Sequence, residues 1–176
     1  MLHHAFPPLG GKTGRFACEL LKAIAKVSDI SVDFVSISNS HVYQSEPLGS
    51  RVVVHRLNVY KEKSKSFTER ELFEYQAKSY IFILRTSRKI EYDLIHAIGI
   101  FPESFTAYAF KSRFPYFLSL LPSDESIKAL RSMGGEFRRA AEIVFDHSTA
   151  KSGWNAPVAA KSYLMAYRQF AKKNRS

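Results

Sequence analysis

Apolar and polar positions along this chain follow two periods, one helical and one extended, and they divide it into alternating elements. From Arg15 to Val27 apolar residues fall at Phe16, Ala17, Leu20, Leu21, Ile24 and Val27, with Glu19, Lys22 and Lys26 opposite, which predicts a core-facing helix. Ile30 to Ile37 alternates and is rich in β-branched residues, so it reads as a strand, as does Arg51 to Leu57. The polar stretch between them, Ser38 to Ser50, reads as a loop. A charged linker from Lys61 to Lys65 precedes Ser66 and Glu69, whose spacing fits a capping box. The helix predicted behind it carries Leu72, Phe73, Ala77, Tyr80, Ile81 and Leu84 and extends to roughly Lys89.

The second half continues the alternation. Tyr92 to Ile98 is a nearly unbroken apolar run closed by Gly99, as expected of a central parallel strand covered on both faces. Pro102 fits the first turn of a helix carrying Phe105, Ala109 and Phe110, and Pro115 to Leu121 is the next strand. Asp124 to Arg139 reads as mostly helical, with a break at Gly134-Gly135, and Glu142 to Asp146 as a last short strand. A final helix is capped by Asn155 and sets Ala160, Tyr163, Leu164, Tyr167 and Phe170 on one face. Residues 2–5 are expected to form a short first strand. The fold class is therefore α/β: a Rossmann-like parallel sheet with helices on both faces, plus a C-terminal amphipathic helix packed on it. Residues 1–150 form one domain, and 151–176 the helix that returns to it.

Between the first strand and the first helix lies Phe6-Pro7-Pro8-Leu9-Gly10-Gly11-Lys12-Thr13-Gly14. Its glycines permit left-handed backbone and close approach, and a turn that opens a helix can receive an anion on free N–H groups. A ligand-free helix-opening loop is the alternative. A P-loop needs a glycine where Phe6 stands, and the dinucleotide fingerprint needs glycines at the first, third and sixth positions of one turn, whereas these fall at 10, 11 and 14. Neither nucleotide motif is present.

Composition narrows the partners. The chain has 176 residues, 45% of them hydrophobic, enough for one core. Twenty-six Lys plus Arg against sixteen Asp plus Glu leave a net charge of +10, which favours anionic partners. Base-stacking aromatics beside basic residues on a strand are missing, which argues against nucleic acid. Cys18 is the only cysteine, so an internal disulfide is excluded and a cytoplasmic setting is expected. His3-His4 suggests a metal pair, but no other ligand lies at zinc-like spacing, so no metal is expected.

Three stretches carry a resemblance. Pro7-Pro8-Leu9-Gly10-Gly11 with the helix behind it, Tyr92-Asp93-Leu94-Ile95-His96-Ala97, and Phe114-Pro115-Tyr116-Phe117-Leu118-Ser119 occur in the order found in one enzyme group. Together with Ala141 to Ser148, they resemble the amino-terminal, acceptor half of a retaining GT-B fold glycosyltransferase of the Pro-Pro-x-Gly-Gly group. Ser152 to Arg168 is similar to the returning C-terminal helix of a full-length member.

The resemblance implies that Gly10 and Gly11 floor a sugar-transfer cleft, with His96, Glu103 and Ser119 as further cleft residues. For His96 a hydrogen-bonded core histidine is the competing reading. The group's usual catalytic histidine falls on Leu121, which can neither donate a hydrogen bond nor carry a proton. The donor half is missing, with its two glutamates eight positions apart, a separation that no two glutamates here have. The chain is accordingly expected to be inactive alone, to hold no cofactor, and to meet a nucleotide-sugar only with a donor-binding partner domain or subunit. A complete small transferase built from Gly10, Gly11, His96, Glu103 and His147 is a second reading. A basic module that meets an anionic membrane surface through Lys161, Arg168, Lys172, Lys173 and Arg175 is a third, and would make the protein peripheral to a membrane.

Overall fold

The computed structural model describes residues 1–26, 29–59, 61, 67–119, 161 and 163–168. The elements in chain order are α1 (Gly11–Ile24), β1 (Val32–Ile37), β2 (Gln44–Pro47), β3 (Val52–Leu57), α2 (Glu69–Thr86), β4 (Ile95–Ile98), α3 (Glu103–Ala109) and β5 (Tyr116–Ser119). The expected helix at 124–139, the strand at 142–146 and the start of the last helix lie outside the described residues.

The opening residues join the strands into one sheet. Leu2 bridges in parallel to Val35 of β1 and to Ala97 of β4. Its N–H donates to the His96 carbonyl at 2.8 Å and its own carbonyl accepts from Ile98 at 2.9 Å. On the other side Val35 donates to the Met1 carbonyl and Ile37 to that of His4. With β1 paired in parallel to β3, and β4 to β5, the parallel order across the sheet is β3, β1, the opening segment, β4, β5. This is the doubly wound order in which the chain reverses direction beside its first strand.

The strand at β2 is an addition to the sequence expectation. Gln44–Pro47 pairs antiparallel with β3 and is exposed throughout, so no apolar alternation marks it. Arg56 holds it with a charge-assisted hydrogen bond of 2.6 Å to Glu46, and a proline is tolerated because the strand is an edge.

Helices cover both faces. On one, Ala17, Leu20, Leu21 and Ile24 of α1 pack with Val32, Phe34, Val52, Val54, Ile98 and Phe117, and Leu164 and Tyr167 of the last helix join the same cluster. On the other, α2 and α3 bring Tyr75, Ile83 and Ala107 against Val35, Ile37, Leu57, Ala97 and Leu118. Burying each large aliphatic side chain is worth about 1.5–3 kcal/mol, so these two clusters hold the sheet between its helices. The α2 capping box is built by Thr68 and Glu71, two residues beyond the expected Ser66 and Glu69. Both pairs satisfy the same spacing, and the one that places Glu71 and Tyr75 on the buried face prevails. Among the described residues no helix is long and apolar enough to cross a membrane.

Candidate functional site

Open α/β sheets bind ligands beyond the carboxyl ends of their strands, where the direction of winding reverses. Here that point lies between the opening segment and β4, and the Phe6–Gly14 turn and the Gly99–Glu103 loop both leave the sheet at this edge.

The glycines of the turn serve different ends. Gly10 is the N-cap of α1 with φ +85°, and a Cβ there would lie 2.2 Å from the Ala5 Cβ. A Cβ on Gly14 would lie 2.5 Å from the Leu9 carbonyl oxygen. At both positions the close approach is to the chain itself. Gly11, also left-handed at φ +52°, has nothing within 4 Å of its Cβ position and borders open space. The α1 N-terminus has no side-chain cap and no acidic residue in its first turn, which leaves the positive end of the helix without a built-in anion.

Glu103 opens α3 and is completely buried. One carboxylate oxygen, Oε1, accepts from the His4 backbone N–H at 2.7 Å, lies 2.5 Å from His4 Nδ1 and 3.5 Å from His3 Nδ1. Burial works to raise the Glu103 pKa, but His4 and His3 outweigh it and hold the carboxyl well below its usual range. Gly99, at φ +113°, makes room for this side chain: a Cβ there would lie 3.2 Å from Oε2. His3 is buried as well, while His4 stays partly exposed, packed edge-on to Phe67.

His96 and Ser119 lie deeper. His96 Nε2 pairs with Ser119 Oγ at 2.6 Å, and Nδ1 with the Tyr167 hydroxyl. Phe117, Tyr163 and Tyr167 enclose the ring at centroid distances of 5.1, 5.2 and 5.5 Å. Burial holds the imidazole well below its ordinary pKa, so it is neutral and both ring nitrogens are taken by hydroxyls. This arrangement matches a hydrogen-bonded core histidine that ties β4 and β5 to the last helix. Among the basic residues, Lys161 is exposed, whereas Arg168 makes two hydrogen bonds to Asp29, at 2.7 and 3.2 Å. Leu121, His147, Lys172, Lys173 and Arg175 lie outside the described residues.

Three features of this edge and its surroundings had no sequence signal. Glu103 reaches His3 and His4 across about a hundred positions, which only strand order brings together. Tyr167 reaches His96 across 71 positions. Asp33 accepts from Tyr92 at 2.6 Å and pairs with His55 at 3.1 Å, and His55 in turn meets the Tyr43 hydroxyl at 2.7 Å, a polar chain at the opposite end of β1.

No protein-family profile and no curated protein sequence matches the chain. Among solved structures it is similar to a sucrose-phosphate synthase from Thermosynechococcus elongatus, described with the ranges 27–220 and 406–426. The TM-score is 0.60 at 16% sequence identity, over 96% of this chain and 98% of that one. The likeness is one of fold: the two chains share a Rossmann-like α/β architecture over nearly their whole lengths.

Proposed function

We propose that this chain is the acceptor-side domain of a glycosyltransferase of GT-B type, without the domain that binds the nucleotide-sugar, and that it works in sugar transfer only when a partner supplies that half. The observation that carries the reading is the uncapped α1 N-terminus with exposed Gly11, set at the winding reversal of a sheet whose fold matches a sucrose-phosphate synthase piece over nearly its whole length. Backbone N–H groups at such a position stabilise phosphate oxygens without any change in protonation, which suits a ligand that carries phosphate. The docking of Tyr163, Leu164 and Tyr167 on the α1 face supports a returning helix that stays with the acceptor side.

Transfer chemistry needs more than this edge offers. His96 is neutral and enclosed, so it is not placed to exchange protons with a bound sugar. Glu103 is fully buried, and its Oε1 is engaged by the His4 backbone N–H and ring. The chain alone accordingly positions one substrate and leaves activation of the other to its partner.

Calorimetric titration with uridine and adenosine diphosphate sugars tests this reading. The expected result is no saturable binding at millimolar ligand and no transfer to sugar or sugar phosphate acceptors. Micromolar affinity for a nucleotide-sugar overturns it.

A further inference from the structure

The cluster at His3, His4 and Glu103 has more buried polar capacity than its contacts use. His3 is 2% exposed and Glu103 fully buried, yet neither His3 ring nitrogen and not Oε2 of Glu103 has a hydrogen-bond partner among the described residues. A buried polar group left without a partner costs about 1–3 kcal/mol, so three such atoms together call for a ligand. One donor atom from each of the three residues can be chosen so that all lie within 4.8 Å of one another.

We propose that His3, His4 and Glu103 form a binding site for one divalent transition-metal ion of the zinc class, a role independent of the sugar-transfer reading. Two imidazoles and one carboxylate are borderline donors suited to zinc, and three protein ligands leave a coordination position open. For bonds of roughly 2.1 Å, tetrahedral donors stand about 3.4 Å apart, so His3 Nδ1 and Glu103 Oε1, at 3.5 Å, are already at ligand spacing. His4 Nδ1 and Oε1, at 2.5 Å, instead have a hydrogen-bonding contact. On metal binding the proton in that contact leaves or moves to Nε2 of His4, and the two lone pairs turn to the ion. Oε1 can keep the backbone bond from His4 on one lone pair and give the other to the ion. The partly exposed side of His4 is where the open position meets solvent.

The location gives such an ion consequences for the fold. It would join the end of the opening segment to the start of α3, two parts of the chain otherwise linked through strand pairing and the bond from His4 to Glu103. Metal that binds the folded chain and not the unfolded one raises the unfolding temperature in proportion to the logarithm of its concentration.

The test uses the full chain, stripped with chelator, desalted and titrated with zinc chloride. Expected are one tightly held zinc per chain by elemental analysis and an unfolding temperature that climbs with free zinc. Because the chain has six histidines, stoichiometry alone does not identify the site. His4→Ala, at the partly exposed position, is expected to weaken zinc binding by at least about 100-fold, more than changes around a ligand shell cost, while its far-ultraviolet circular dichroism stays native. Cobalt as a probe is expected to show the visible bands of a four- or five-coordinate ion in the native chain and to lose them in His4→Ala. A stripped chain that takes up no zinc at micromolar concentration overturns the proposal. So does a His4→Ala chain that binds zinc as tightly as the native one, or a cobalt spectrum unchanged by the substitution.

Discussion

Replacing His96 by glutamine removes the one imidazole buried among β4, β5 and the last helix, and its effect should depend on pH. In the folded chain burial holds this imidazole well below its ordinary value near 6.5, while in the unfolded chain it titrates there. The unfolded state therefore binds the extra proton first, so this residue's contribution is fully present above pH 6.5 and is lost as pH falls below it. Each pH unit below the unfolded pKa costs at most about 1.4 kcal/mol for one such proton, so the native chain loses stability through His96 as pH falls from 6.5 toward 5.0. At pH 7.5 His96→Gln is expected to be less stable than the native chain by about 1–3 kcal/mol, because the Ser119 and Tyr167 hydroxyls lose well-placed partners. The gap should narrow steadily as pH falls from 6.5 to 5.0. Urea unfolding followed by circular dichroism at several pH values between 7.5 and 5.0 measures it. Glu103 and Asp33 have lowered pKa values and lose their contributions only in the acid range below the unfolded carboxyl values, outside this window. If the native and His96→Gln stabilities run parallel from pH 7.5 to 5.0, the ring is not held neutral in the folded state and the assignment fails.

Other substitutions probe the remaining supports. Gly10→Ala forces a Cβ onto Ala5 in left-handed backbone and should cost more than about 2 kcal/mol, whereas Gly11→Ala meets nothing and should cost only about 1 kcal/mol of left-handed strain; thermal unfolding of the two separates packing from backbone effects. Thr68→Ala removes the cap from the Glu71 N–H and should lower stability by about 1 kcal/mol in urea titration. Arg168→Ala breaks an exposed pair with Asp29 and should change stability by less than about 1 kcal/mol, a difference that fades in high salt. A loss several times larger would mean that the last helix docks chiefly through that pair and not through Leu164 and Tyr167.

What the sequence revealed follows where apolar periodicity was strong. β1, β3, α1, α2 and β4 coincide with runs of apolar residues at periods of two or 3.6, because each buries one face or both. Their ends were less legible: β4 starts at Ile95, not Tyr92, since the Tyr92 hydroxyl turns to Asp33. β2 escaped because Gln44, Ser45, Glu46 and Pro47 bury nothing. For the site, the glycine stretch was legible as a turn only as far as Gly10, since α1 already starts at Gly11, and which glycine faces the chain and which faces open space depends on Ala5 and Leu9 folding back. The histidine pair was visible and its carboxylate was not, because Glu103 becomes a neighbour only once the sheet sets β4 beside the opening segment. His96 stood among cleft residues on resemblance, and the three aromatic rings around it explain its place in the core.

The central claim is that this domain meets its phosphate-bearing sugar ligand at the α1 N-terminus and has no nucleotide-sugar site of its own. Amide-resolved nuclear magnetic resonance on the isotopically labelled full chain tests it most directly, with a sugar phosphate in one titration and a nucleotide-sugar in another. The account predicts that the sugar phosphate shifts the amides of Gly11, Lys12 and Thr13 in a saturable manner, and that the nucleotide-sugar at the same concentration causes no saturable change. Silent Gly11–Thr13 amides under the sugar phosphate, or a tight, separate set of shifts under the nucleotide-sugar, would contradict it.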